Sequence, residues 1–366
     1  MKHLLSLVLI ANCLACTTTS QTPIPGPIII AHRGASGYLP EHTLAAYAVA
    51  AFQGADFLEP DLVMTKDGIL IARHDNALHL STDIATRQEF ADRKRTKMID
   101  GREMTGWFSE DFSFTEIQSL RAIERIPDIR PQNRRFDGQF TIPNLEEIIS
   151  LCQSLEKTLK RPIGLYPEIK HPSYFQSIGL GMEEPLVAML HKHGYRDKKA
   201  NVFIQSFEVD SLKKLRTLTD LPLVQLLWID GQPYDQFQKG SQLSYQQMAS
   251  AAGLKEIATY AEGVGPEKEF FILRRKADGS LDRQQASDFI KHAHAAGLIV
   301  HPYTFRAENF FLPSNFQTGD QAGEISDLAT EEMKIFLELG IDGFFTDHPD
   351  LGVKARQEFL QKQVSN

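Results

Sequence analysis

The chain has 366 residues, of which 42% are hydrophobic and 23% charged, the ordinary balance of a folded globular protein. Its 39 basic and 47 acidic residues give a net charge of −8, which speaks against general nucleic-acid binding and against charge-driven docking on an anionic membrane. The length admits one large domain or two average ones, and an α/β barrel can use about 250 residues as a single core.

Lys2 and His3 precede an apolar run from Leu4 to Ala15. A bilayer span needs about 20 apolar residues, so residues 1–16 read as a secretory signal peptide. Cys13-Leu14-Ala15-Cys16 is similar to a bacterial lipoprotein signal. That similarity makes a lipid anchor on Cys16 the expected membrane contact, with cleavage and plain secretion as the alternative. Residues 17–27, rich in Ser, Thr and Pro, read as a tether, and 28–366 as the folded body. Cys152 is the one cysteine of that body, so no internal disulfide is expected. Its helical spacing from Ile148, Ile149 and Leu155 makes it a core residue, not a nucleophile.

Ile28–His32 reads as a buried strand, Glu41–Gln53 as a helix, Phe57–Met64 as a strand, and Ile69–Arg73 as its hairpin partner. Residues 76–140 lose this regularity and read as an insertion, with a solvated charge run at 92–97 and a short helix at Thr115–Leu120. Helices are then expected at Leu145–Leu159, Pro185–Lys192, Val209–Leu218, Gln246–Tyr260, Arg283–Ala296 and Leu328–Leu339, with one more closing the chain. Strands are expected at Ile163–Ile169, Val202–Gln205, Leu223–Trp228, near Gly263, at Leu298–Tyr303 and at Gly343–Thr346. About eight strand–helix units in series imply a (β/α)8 TIM barrel with an insertion after the second-strand hairpin. A doubly wound open sheet is the alternative, but no glycine-rich dinucleotide fingerprint follows the first strand.

Functional side chains of a barrel gather at the C-terminal ends of its strands. His32 and Arg33 end the first. Glu59 and Asp61, two residues apart on the second, share a face, and a hard cation would relieve their repulsion. Arg73-His74-Asp75 ends the hairpin. Glu168 and Lys170 repeat the two-residue spacing on the third strand, between Pro167 and Pro172. Gln205-Ser206-Phe207, His301-Pro302-Tyr303 and Phe345-Thr346-Asp347 end later strands. Three carboxylates can hold a divalent cation. With Arg33 and Lys170, that cation can offset the charge of a phosphodiester, while two histidines share base and acid work.

At this point a family resemblance becomes specific. His32-Arg33-Gly34-Ala35-Ser36-Gly37-Tyr38-Leu39-Pro40-Glu41-His42-Thr43 resembles the signature of the glycerophosphodiester phosphodiesterase family, in its secreted or periplasmic, calcium-dependent branch. So do Glu59-Pro60-Asp61 through Gly68, His74-Asp75, Tyr166 through Lys170, Val300 through Thr304, and Phe344 through Asp347. The resemblance implies hydrolysis of glycerophosphocholine, glycerophosphoethanolamine and similar diesters to sn-glycerol 3-phosphate and an alcohol. It implies His32 and His74 as the acid–base pair, and Glu59, Asp61 and Glu168 as ligands of Ca²⁺, with Mg²⁺ the lesser candidate. It implies Arg33 and Lys170 on the phosphate, and Phe207 and Tyr303 on the glycerol side. It further implies attack by the glycerol 2-hydroxyl, giving a cyclic phosphate that water opens. Pro60 between the two acids departs from many relatives and predicts a backbone irregularity there. The expected place of work is the periplasm or cell envelope, and nothing in the pattern sets an oligomeric state. A phospholipase D-like or phosphoinositide-cleaving barrel and a surface-binding lipoprotein are the alternatives. The first would need an exposed apolar loop at the barrel mouth, for which Trp107, Phe108, Phe112 and Phe114 are candidates, although core packing fits them better.

Overall fold

The computed structural model describes residues 26–365. The signal peptide, Cys16 and most of the tether lie outside the described residues. Among those described, no helix is long and apolar enough to cross a membrane.

The strands are β1 (Ile28–His32), β2 (Phe57–Glu59), β3 (Asp61–Met64), β4 (Leu70–Ala72), β5 (Arg95–Ile99), β6 (Arg102–Gly106), β7 (Gly164–Leu165), β8 (Glu168–Ile169), β9 (Ile204–Ser206), β10 (Leu223–Leu227), β11 (Gly263–Pro266), β12 (Leu273–Arg275), β13 (Leu281–Ala286), β14 (Ile299–Val300) and β15 (Gly343–Thr346). Four of them form one parallel sheet in the order β15-β1-β2-β7. Seven form another, β14-β11-β10-β9-β8-β3-β4, parallel throughout except for the β3–β4 hairpin. The break between β2 and β3 falls at Pro60, as its missing N–H predicts, and that between β7 and β8 at Tyr166-Pro167. Hydrogen bonding runs on across both breaks, from Tyr166 N to Leu58 O at 2.9 Å and from Glu168 N to Pro60 O at 2.9 Å. Residues 300–305 and 342–347 are also joined, by Asp342 N to Val300 O at 3.0 Å and Phe305 N to Phe345 O at 2.8 Å.

Strand alternation sorts the core into two layers. Ile29, Leu58, Leu165, Leu223 and Phe344 face the helices in the main core. Their chain neighbours Ile30, Phe57, Tyr166, Val224 and Phe345 form a second cluster, drawn from strands of both sheets. Tyr166 anchors it, stacked on Phe203 with ring centroids 5.0 Å apart and edge-on to Phe345 at 5.0 Å.

The first helix runs over Leu44–Phe52, three residues later than expected, because Thr43 caps it by accepting a hydrogen bond from Ala46 N. The stretch before it wraps the site instead. Gly34 is required there: its φ is +86° and a Cβ would come within 2.7 Å of the Ala46 backbone. The helix expected at Gln246–Tyr260 is two, Tyr245–Met248 and Ala251–Ile257, because Ser250 starts a new N-cap. The helix expected at Arg283–Ala296 begins only at Phe289, and Leu281–Ala286 is instead an exposed strand paired antiparallel with β12.

Residues 76–140 hold the β5–β6 hairpin and short helical turns. Leu78, Phe112 and Leu120, all fully buried, join the main core, while Phe108 packs with Ala77 and Ile99 in a small cluster of the segment's own. Trp107, Phe108 and Phe112 pack inward and Phe114 is half-buried, so none is an exposed apolar loop. The charge run at 92–97 is largely solvated, with Arg93 resting on the Phe112 ring. Cys152 is fully buried in the Leu145–Leu159 helix, 3.3 Å from Ile163 O, and burial pushes its thiol up to about 12.

Candidate active site

The parallel strands deliver their polar ends to one place. His32 closes β1, Glu59 closes β2, Asp61 opens β3 and Glu168 opens β8. Pro60 lets the chain step between strands while both acids stay on the same side. Single ligand oxygens of Glu59, Asp61 and Glu168 lie within 4.8 Å of one another, and all three carboxylates are buried.

Cations surround them. Arg33 Nε lies 3.2 Å from Asp61 Oδ2, and its Nη1 donates to Glu41 Oε2 at 2.8 Å. Lys170 Nζ donates to Glu168 Oε1 at 2.8 Å and sits 4.0 Å from Asp61 Oδ1. Arg33 takes φ +61°, which turns its N–H onto Glu59 Oε2 at 2.8 Å. Gln205 Nε2 donates to Glu59 Oε1 at 3.1 Å, and His42 bridges Asp61 Oδ2, 3.0 Å away, to the Tyr47 hydroxyl.

Charge is unevenly tolerated. Burial holds the Glu59 carboxyl well above its ordinary range, with Asp61 and Glu168 adding to the effect. Burial pushes Glu168 up to about 8, with Asp61 adding to it against the pull of Lys170. Burial also raises Asp61, but Lys170, Arg33 and the His42 hydrogen bond outweigh it and hold Asp61 well below. Without a cation the cluster therefore keeps protons. Three hard oxygen donors short of positive charge are a donor set that fits a divalent cation.

Each expected histidine has an aspartate at Nδ1. His32 Nδ1 is 2.6 Å from Asp347 Oδ1, and its Nε2 accepts from Arg33 Nε at 3.2 Å. His74 Nδ1 is 3.1 Å from Asp75 Oδ2. A carboxylate only accepts, so Nδ1 carries the proton and Nε2 is the working nitrogen. Burial and Arg33 push His32 down to about 4, and burial, Arg33 and Lys170 push His74 down to about 3, so both rings rest neutral.

Phe207 and Tyr303 meet edge to face with centroids 6.1 Å apart, and Lys170 Nζ lies 5.7 Å from the Phe207 ring centre. Trp228, 45% exposed, joins them, stacked beside Tyr303 at 6.4 Å. All nine expected site residues thus belong to one neighbourhood through these contacts and charges. His301 does not: it sits in the inner aromatic cluster, its Nδ1 2.9 Å from the Tyr166 hydroxyl.

Several neighbours were not singled out by sequence. Asp347 and Asp75 stood inside quoted motifs without a role. Glu41, Gln205 and His42 were legible only as motif letters. Arg125, Arg130 and Arg306 come from irregular segments that carry no periodic signal. Arg130 Nη2 and Arg306 Nε reach Asp347 Oδ2 at 2.5 and 2.8 Å, and Arg125 Nη1 pairs with Asp75.

Buried acids, flanking cations and two aspartate-backed histidines gathered where the strands break and end suit an enzyme that acts on a phosphate ester. Similarity to known proteins agrees with that class and narrows it. The profile of the glycerophosphoryl diester phosphodiesterase family matches residues 32–351. The chain is 34% identical to a glycerophosphodiester phosphodiesterase of Arabidopsis thaliana over 94% of each chain. It is 35% identical to one of Haemophilus influenzae, over 91% of this chain and 90% of that one. A crystal structure of an Oleispira antarctica phosphodiesterase, in complex with the product sn-glycerol-3-phosphate, shares the fold with a TM-score of 0.57 and 21% identity, covering 91% of this chain and 97% of that one. The chain belongs to the glycerophosphoryl diester phosphodiesterase family and is an enzyme, a phosphoric diester hydrolase.

Proposed function

We propose that the enzyme hydrolyses glycerophosphodiesters such as glycerophosphocholine and glycerophosphoethanolamine to sn-glycerol 3-phosphate and an alcohol, with Ca²⁺ at Glu59, Asp61 and Glu168. The observation that carries this reading is the triple carboxylate cluster with Arg33 and Lys170 on its rim. A bound divalent cation would supply positive charge at the phosphate oxygens and remove the need for protons on Glu59 and Glu168. Arg33 offers its guanidinium fork, and Lys170 a point charge, to the same phosphate. His32 and His74, each with Nδ1 committed to an aspartate, act at Nε2. One neutral ring takes the proton of the attacking glycerol 2-hydroxyl at Nε2. The other, protonated at Nε2 as well when it lies beside the anionic phosphate, gives that proton to the leaving alcohol, and the two exchange roles when water opens the cyclic phosphate. Phe207 and Tyr303 offer apolar surface to the glycerol carbons.

The fold reading behind this is a closed (β/α)8 barrel occupying 28–366 with an insertion at about 76–140. The backbone bonds between residues 300–305 and 342–347 support it, as does an inner cluster built from strands of both sheets. The apolar amino-terminal run and the similarity around Cys16 support export to the periplasm or cell envelope, with lipid attached at Cys16.

Burial of Trp107, Phe108 and Phe112 weakens the lipid-cleaving alternative, because these rings are not free to enter a bilayer. A direct comparison separates the two. Purified enzyme should release glycerol 3-phosphate from glycerophosphocholine and leave phosphatidylcholine vesicles uncut. Comparable turnover on intact vesicles would replace this reading with a phospholipase.

A further inference from the structure

The irregular segment between β4 and the Leu145–Leu159 helix places two arginines behind the site. They do parallel things. Arg130 Nη2 lies 2.5 Å from Asp347 Oδ2, while the other oxygen of that carboxylate faces His32 Nδ1 at 2.6 Å. Arg125 Nη1 pairs with Asp75 Oδ2, the oxygen that faces His74 Nδ1 at 3.1 Å. Each histidine therefore has an aspartate behind it, and each aspartate has an arginine from the same segment.

We propose that Arg125 and Arg130 are positioning residues for the hydrolysis, fixing the two aspartates so that both imidazoles present Nε2 to the substrate. The proposal rests on reading His32 and His74 as the acid–base pair. Three further features support it. Arg130 is buried and tied in two more directions, to Glu308 Oε1 at 2.5 Å and Ser36 O at 2.8 Å, so it cannot swing away from Asp347. Arg125 also reaches Glu41 Oε1 at 3.4 Å, and Glu41 Oε2 receives Arg33 Nη1 at 2.8 Å, so one side chain braces both His74 and the phosphate-binding arginine. The segment is also seated by apolar residues, Ile84, Phe112, Ile117 and Leu120, that are buried in the main core, so its path behind the histidines does not rest on these ion pairs alone. An aspartate held by arginine stays an acceptor. A ring donating to it keeps one tautomer and one orientation, and misaligned proton transfer lowers turnover more than binding.

The test uses Arg125→Gln and Arg130→Gln in the full chain, with the corresponding Lys variants, assayed on glycerophosphocholine. The Gln variants should lose about 10- to 100-fold in kcat with KM within about threefold, and Lys should recover part of the loss. Circular dichroism and calorimetric Ca²⁺ affinity should match the parent. A kcat within about twofold of the parent would overturn the proposal, and so would a loss confined to KM, which marks direct substrate contact. If Arg130→Gln fails to fold, Asp347→Asn and Asp75→Asn probe the same links at constant volume, and full activity in both would also overturn it. His32→Ala and His74→Ala separate the two levels. If these are inactive while the arginine variants are fully active, only the positioning role falls. If they turn over normally, the acid–base reading falls and takes the positioning role with it.

Discussion

The site's behaviour follows from how few charges its three acids can carry alone. Glu59 and Glu168 are raised mainly by burial, Glu59 well above its ordinary range and Glu168 to about 8, so the cation-free cluster retains protons. A cation must displace those protons before it can bind. Ca²⁺ affinity should therefore strengthen as pH rises from 6 toward 8 and level off above, because Glu168 titrates near 8. Calorimetric titrations at pH 6 and 8.5, in buffers of different ionisation enthalpy, would show proton release at the lower pH. Equal affinity at both would contradict the assignment. Glu168→Gln removes one anionic oxygen ligand while keeping the shape. It should weaken Ca²⁺ binding by more than about tenfold and leave the circular dichroism spectrum unchanged.

At the scale of elements, caps and strand ends set where the pieces stop. The Leu145–Leu159 helix opens with a reciprocal capping box, in which Asn144 accepts from Glu147 N at 2.8 Å and Glu147 Oε2 accepts from Asn144 N at 2.8 Å. Asn144→Ala should lower unfolding stability by about 0.5–2 kcal/mol, read from the urea midpoint at constant slope. Glu208, just before the Val209–Leu218 helix, is buried beside Ser173, Asp235 and Asp100. Burial raises it from 4.5 to about 8, so its bound proton favours the folded state. That contribution is complete below about pH 4.5 and is lost as pH rises through about 8. Glu208→Gln should therefore flatten the fall in melting temperature between pH 5 and 9, and an unchanged slope would exclude Glu208 as its source. The parallel strands were legible because short apolar runs end in polar residues. Their breaks at Pro60 and Pro167 follow from a missing donor. Residues 283–286 of β13 were read as the start of a helix because β13 is mostly exposed and carries no burial period. Arg125 and Arg130 were not legible, because only the folded path of an irregular segment brings them behind the histidines.

For the whole molecule, the fold spends its regular elements on a scaffold and its irregular ones on chemistry. Strands of both sheets pack an inner aromatic layer around Tyr166, and the acids stand at the strand ends nearby. The segment 76–140 closes against that end through Arg125 and Arg130. This assembly is proposed to cleave glycerophosphodiesters with a divalent cation held by Glu59, Asp61 and Glu168. The most direct measurement is release of glycerol 3-phosphate from glycerophosphocholine by the purified protein, stripped with EDTA and then supplied with Ca²⁺. Release should stop after stripping and recover on adding Ca²⁺. Undiminished release in EDTA would contradict the cation's role, and no release under any condition would contradict the substrate.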